Sequence, residues 1–292
     1  MYMLGAIDDD AAADAPSGTA FGTESGPSPH SRHGRARAAV MMSQLLPMDA
    51  EQQLLQLASG CGLLLFGELH GTREVPALVG GLLPKLRELG YGSLALEAPR
   101  DQRDAILQWA DGMASHPPPF YARPSGDGRG SLDMLELIRS ARALGLDLLC
   151  FDQSPDQPAR TWSERDQWMA RNLLEAWSAG PGSQRVLGIC GSLHARLAPE
   201  QGVGRFLRKV VSGGEQLWPS LAGWVRQLQP TLAVGSVDVR FATGEFFNMG
   251  VRTIYARPGS RSEAWVRNAA PAYSLELWLP RATVATFLTP PA

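Results

Sequence analysis

Between residues 61 and 198, short apolar runs alternate with stretches of helical periodicity. The runs are Leu63–Phe66, Ser93–Leu96, Leu146–Phe151 and Val186–Cys190. Continuous apolar runs of this length, separated by helices, read as parallel strands buried on both faces. Thr72–Leu89 carries Val75, Leu78, Val79, Leu82, Leu83, Leu86 and Leu89 at helical spacing, with Gly90 as its stop. Pro84, just after Gly80-Gly81, is expected to kink or split that helix. Further helices are expected over Pro47–Ser59, over Asp101–Asp111, after a Ser131 cap, and from the capping box Thr161-Trp162-Ser163-Glu164 to about Ser178. Ser115–Gly130 is rich in Pro and Gly and reads as a loop long enough to be a lid or specificity element. Beyond residue 198 the pattern weakens, with strands expected in Thr231–Val239, Asn248–Tyr255 and Tyr273–Leu279. Residues 1–42 lack periodicity and read as a disordered tail, with Met41-Met42 as an alternative start; residues 43–292 read as a single domain. The expected fold is a three-layer α/β domain with a mostly parallel central sheet and an irregular C-terminal extension.

The polar residues at the ends of these runs carry the chemistry. Two runs lead into Gly-x-x-His: Gly67-Glu68-Leu69-His70 and Gly191-Ser192-Leu193-His194. The other two end on Glu97 and Asp152. In an open parallel sheet, ligands bind at the carboxyl ends of the strands. Glu68, His70, Glu97 and His194 are therefore expected to converge there as a catalytic cluster. Two imidazoles with carboxylates suit either metal ligation, with His70, His194 and Glu68 as ligands, or metal-free general base catalysis. On the expected helix after Thr161, Arg165 and Asn172 share a stripe with Met169 and Leu173, which is costly for them without partners.

Plainer readings exist for each residue. His70 also suits the cap of the helix beginning near Thr72, and His194 a hydrogen bond at a strand end. Glu97 also suits a simple ion pair with Arg100 or Arg165. Aspartate at a strand end, as at Asp152, is common turn chemistry.

The chain has 292 residues, 44% of them hydrophobic, and a formal net charge of −2. That charge supplies no field for nucleic acid or acidic membranes, so neither is expected as a partner. Three scattered cysteines form no disulfide framework, and no apolar run reaches membrane-spanning length. With Asp8-Asp9-Asp10 where a basic leader would stand, a cytoplasmic protein is expected. No G-x-S-x-G, H-E-x-x-H or P-loop motif is present.

Together these motifs resemble the Tiki/TraB, ChaN and erythromycin-esterase superfamily. Gly67-Glu68-Leu69-His70-Gly71-Thr72-Arg73-Glu74 resembles the erythromycin-esterase form of the first motif, although that family usually spaces its Glu and His one residue further apart. Leu96-Glu97-Ala98-Pro99 resembles its second strand, Arg165-Asp166-Gln167-Trp168-Met169-Ala170-Arg171-Asn172 its polar helix, and Gly191–Ala195 its second His motif. The resemblance spans roughly Cys61–Ala198 and implies the fold above. For function it implies an ester, lactone or amide hydrolase of a small molecule, with Arg73, Glu74, Asp152, Arg165 and Asn172 as substrate-binding or supporting groups and a divalent metal as a possible cofactor. The other branch implies a haem- or metal-binding protein using the same cleft without turnover.

Overall fold

The computed structural model describes residues 46–122, 126–180, 184–199, 217–256 and 261–289. The tail expected over residues 1–42 lies outside them. In chain order the elements are α1 (Met48–Ser59), β1 (Leu63–Glu68), α2 (Glu74–Glu88), β2 (Tyr91–Pro99), a 3₁₀ turn at Arg100–Gln102, α3 (Arg103–Ala110), α4 (Pro119–Ala122), α5 (Leu132–Ala143), β3 (Asp147–Asp152), α6 (Trp162–Ser178), β4 (Arg185–Gly191), α7 (Leu221–Leu228), β5 (Val234–Phe241), β6 (Gly244–Phe247), β7 (Val251–Ile254), β8 (Trp265–Asn268) and β9 (Leu275–Leu279). Seven strands form the central sheet in the order β3-β2-β4-β1-β5-β9-β8, all parallel except β8, which runs antiparallel to β9. β6 and β7 form a separate antiparallel pair.

The continuous apolar runs are explained by burial on both faces. Leu64 and Phe66 of β1, Leu94 and Leu96 of β2, and Leu187 and Ile189 of β4 pack into one core with α1, α2, α3 and α5. Their alternates Leu63, Leu65, Ala95, Val186 and Cys190 pack into a second core with Met169, Ala170 and Leu173 of α6 and Leu221, Ala222 and Val225 of α7. Side chains alternate along a strand, so a strand with helices on both sides has no polar position to spare. Cys150 and Cys190 lie in these cores, where burial pushes the Cys150 thiol up to about 12 and the Cys190 thiol well above its ordinary value. Neither is a thiolate nucleophile.

Three features depart from the pattern. Pro84 does not split α2, which runs unbroken from Glu74 to Glu88. The carbonyl its ring opposes belongs to Gly80, in a turn where Gly80-Gly81 can adjust without a side chain in the way. The long loop contains the short helix α4. The C-terminal part is more regular than its pattern suggests, since β5, β9 and β8 extend the sheet. β8 and β9 are short, and the strands of this part carry Arg240, Arg267 and Glu276 among their apolar residues, which masks the signal. Among the described residues no helix is long and apolar enough to cross a membrane.

The Thr161 hydroxyl accepts from the Glu164 N–H at 3.1 Å, and the Glu164 carboxylate reaches back to the Arg160 N–H at 2.7 Å, so the cap at the start of α6 is made from both sides. Thr161→Ala is expected to lower stability by about 1 kcal/mol, read as a lower urea midpoint with unchanged slope.

Candidate functional site

The order β3-β2-β4-β1 brings the four motif-bearing strand ends side by side. Glu97 stands at the centre. Its Oε1 accepts from Arg165 Nη2 at 2.8 Å and Arg129 Nη1 at 3.0 Å, and its Oε2 from the Gly191 N–H at 2.7 Å. Asp152 Oδ2 accepts from the same two guanidiniums, at 2.7 Å each, and Oδ1 from Arg165 Nε at 3.0 Å. Two cations are thus held between two carboxylates. Burial alone would raise the Glu97 carboxyl, but His194, Arg129, His70 and Arg165 outweigh it and hold it well below the usual range. Asp152 is likewise lowered, burial being outweighed by Arg165. Burial opposes the charge of both arginines, yet Glu97 and Asp152 raise them above the ordinary guanidinium value.

Both imidazoles approach Glu97, His70 Nε2 at 3.6 Å from Oε2 and His194 Nε2 at 3.5 Å from Oε1. Their surroundings differ. The His194 side chain is 2% exposed, its Nδ1 bonds Asp166, its Nε2 lies 3.2 Å from Arg165 Nη1, and Trp162 stacks on its face at 5.2 Å. An arginine can only donate, so His194 Nε2 is already an acceptor. The His70 side chain is 15% exposed, and its Nδ1 lies 2.8 Å from Glu68 Oε1. A carboxylate can only accept, so Nδ1 carries the proton and Nε2 faces Glu97 beyond hydrogen-bond reach. Burial would lower the His70 pKa, but Glu97 and Glu68 reverse that and raise it.

The two motif glycines make room for each other. A Cβ on Gly67 would come within 2.9 Å of Ser192 Cα, and a Cβ on Gly191 within 2.9 Å of His70 Nε2. β1 and β4 are neighbours with Glu68 opposite Gly191, so each motif needs the other's glycine.

Asn172 does not enter the cluster but fixes the end of β3, donating to the Phe151 and Asp152 carbonyls at 3.2 and 3.3 Å. Arg73 and Glu74 lie elsewhere. Arg73 pairs with Asp133 at 3.4 Å and Glu74 accepts from the Thr283 N–H at 2.9 Å, because the start of α2 turns away from the sheet edge. Arg100 bonds Asn172 and Glu175, leaving Arg165 as the partner of Glu97. Sequence reasoning missed Arg129 and Asp166. Asp166 precedes Met169, Ala170 and Leu173 by three, four and seven positions, so the helical stripe carried its signal. Arg129 comes from the long loop and had no periodic signal.

The donor set does not suit a divalent metal. Among the described residues no group of three or more His, Cys, Asp and Glu comes together to hold one. Of the expected ligands, Glu68 and His70 are engaged with each other and His194 with Asp166 and Arg165, and two guanidiniums already neutralise the central Glu97. Glu68, Leu96, Glu97, Phe120, Tyr121, Arg129, Met134 and Ile189 bound a small cavity of about 10 Å³, room for about one water.

No family model and no curated protein sequence matches the chain. Solved structures do. A variant of the erythromycin esterase EreC in its open conformation matches with a TM-score of 0.61 at 10% identity, over 86% of this chain and 98% of that one. A succinoglycan biosynthesis protein matches with a TM-score of 0.61 at 9% identity, over 90% of this chain and 100% of that one. ChaN of Campylobacter jejuni, solved with cofacial haem, gives a TM-score of 0.44 at 8% identity, over 78% and 91%. The chain shares its fold with the erythromycin esterase EreC.

A lowered carboxyl contributes stability that is present above its unfolded pKa and lost as pH falls through the native value. Glu97→Gln, which leaves buried guanidiniums short of a partner, is expected to cost roughly 3–5 kcal/mol near neutral pH. That gap should narrow on acidification below the ordinary glutamate range of about 4.3. Equal gaps in urea midpoint at neutral and acid pH would show that the charge of Glu97 is not what the arginines use.

Proposed function

We propose that the protein is a hydrolase of an ester, lactone or amide of a small molecule, with His70 as the base that activates water. The observation that carries this is the Glu68–His70 pair. Glu68 holds Nδ1–H at 2.8 Å and so directs the Nε2 lone pair toward Glu97 at the cavity edge. A ring oriented by a carboxylate, with its second nitrogen free, is the arrangement a general base requires. Neutral Nε2 takes a proton from water as the water attacks the acyl carbon, and returns it to the leaving group. Arg129 borders the same cavity and supplies positive charge for the oxygen that becomes anionic. Glu97, held ionised by two arginines, is too weak a base for the proton and instead raises the His70 pKa. His194, shielded and engaged on both nitrogens, positions Arg165 and Glu97. The erythromycin-esterase neighbour is compatible with this reading at the level of fold.

His70→Ala is expected to lower kcat/KM by about a hundred- to ten-thousand-fold while the protein stays folded by circular dichroism. The base must be neutral, so activity rises as pH passes up through the native His70 pKa, which lies above 6.5. Glu68→Gln removes one carboxylate that raises it, so the rising limb should move to lower pH and the maximum fall. His194→Ala should lower the rate and keep the limb. A limb that survives in His70→Ala and vanishes in His194→Ala would reverse the two assignments.

A further inference from the structure

The loop before α5 brings two polar side chains to the strand edge. One is Arg129, placed on Glu97 and Asp152. The other is Tyr121, carried by α4. Tyr121 is 2% exposed and forms a wall of the small cavity, together with Glu68, Glu97 and Arg129. Burial pushes its phenol well above the ordinary value; Cys150 and Glu68 add to the rise and Arg129 opposes it. The hydroxyl therefore stays protonated and can donate. Glu68 gives Oε1 to His70 Nδ1. Among the described residues, the second Glu68 oxygen and the Tyr121 hydroxyl have no protein partner, and neither belongs to the atoms sealed from solvent. Both residues bound one cavity of about 10 Å³, room for about one water. A single molecule in so small a space touches every wall.

We propose that Tyr121 is a positioning residue for the Glu68–His70 pair, its hydroxyl joined to the second oxygen of Glu68 through one water held in this cavity. This rests on the hydrolase reading and adds to it a residue that sets the geometry of the base. A buried water takes roughly two to four polar partners. Here it accepts from the Tyr121 phenol and donates to the Glu68 and Glu97 carboxylates, which can only accept. The apolar walls, among them Leu96, Met134 and Ile189, offer it no other partner. A carboxylate held at one oxygen alone is free to swing, and the His70 ring would swing with it. Held at both oxygens, Glu68 keeps Nδ1–H fixed and the Nε2 lone pair aimed. The water also draws on the negative charge of Glu68, which acts on His70 alongside Glu97 and Asp127.

Two measurements on the full-length protein test this. In a high-resolution crystal structure of the wild type, one water should lie about 2.5–3.0 Å from both the Tyr121 hydroxyl and Glu68. In Tyr121→Phe it should be lost or drawn away from Glu68. The His70 pKa, followed by NMR of the imidazole, should rise by roughly 0.5–1 unit in Tyr121→Phe, because losing the bridge leaves more of the Glu68 charge to the ring. The rising limb of the rate profile then moves to higher pH, opposite to Glu68→Gln, and kcat falls by about tenfold with KM unchanged, the worth of one hydrogen bond. Met134→Leu, which reshapes an apolar wall, should leave the His70 titration in place. A purely packing role for Tyr121 would lower the melting temperature and move neither the water nor the titration. A dry cavity in the wild type, a water unmoved by Tyr121→Phe, or an identical His70 titration in that variant overturns the proposal. Absence of turnover with every ester, lactone and amide tried would defeat the hydrolase reading, while the water and the titration would still decide the role of Tyr121.

Discussion

The site is organised by one constraint: two arginines must lie in a nearly dry strand edge, and Glu97 and Asp152 are the carboxylates that neutralise both. Buried charges persist when they are paired and hydrogen-bonded, and are costly otherwise. Arg165 is delivered by α6 and Arg129 by the loop before α5, on opposite sides of the sheet. Glu97 meets both, and its second oxygen takes the Gly191 N–H, which ties β2 to the turn after β4. The Ser192 N–H then bonds the Glu68 carbonyl at 3.0 Å and carries the connection to β1. Three strand ends and two side-chain layers thereby fix one another.

This explains why the fold could be read from the chain. Strands covered on both faces must be apolar at every position, and helices with one buried face must repeat at helical spacing. Leu63–Phe66 and the Val75–Leu86 stripe obey these demands without exception. The demands relax away from the centre. β8 is an edge strand, and its Arg267 pairs with Glu276 on the neighbouring β9. Charged residues blunt an edge but also erase alternation, which is why β8 was not visible in the sequence.

The site was legible to the extent that strand ends supply it. Glu68, His70, Glu97, Asp152 and His194 each follow an apolar run, and parallel pairing sends such residues to the same edge. Arg165 was visible because a cation on a buried stripe demands a partner. Asp166 obeys the same rule, since the 0% exposure of its side chain follows from its helical phase. Arg129 could not be found this way, because a loop residue is placed by tertiary contacts that leave no period behind. Arg73 and Glu74 show the converse: adjacency to His70 in sequence does not bring them to the edge, because α2 begins there and directs them to Asp133 and Thr283.

The twin motifs also show how nearly identical sequences acquire different surroundings. Gly67–His70 and Gly191–His194 each place an imidazole beside Glu97, and each ring is held at Nδ1 by a carboxylate. What separates them is the origin of that carboxylate. Glu68 belongs to the same strand end as His70, so this pair sits at the rim, where the ring retains some exposure. Asp166 belongs to α6, whose packing buries it, and burial raises its carboxyl above the ordinary aspartate value even with His194 beside it. That helix also brings Arg165 onto Nε2 and Trp162 onto the ring face, closing His194 in. The asymmetry therefore comes from the helix over one motif, which encloses His194 and leaves His70 Nε2 beyond hydrogen-bond reach of Glu97.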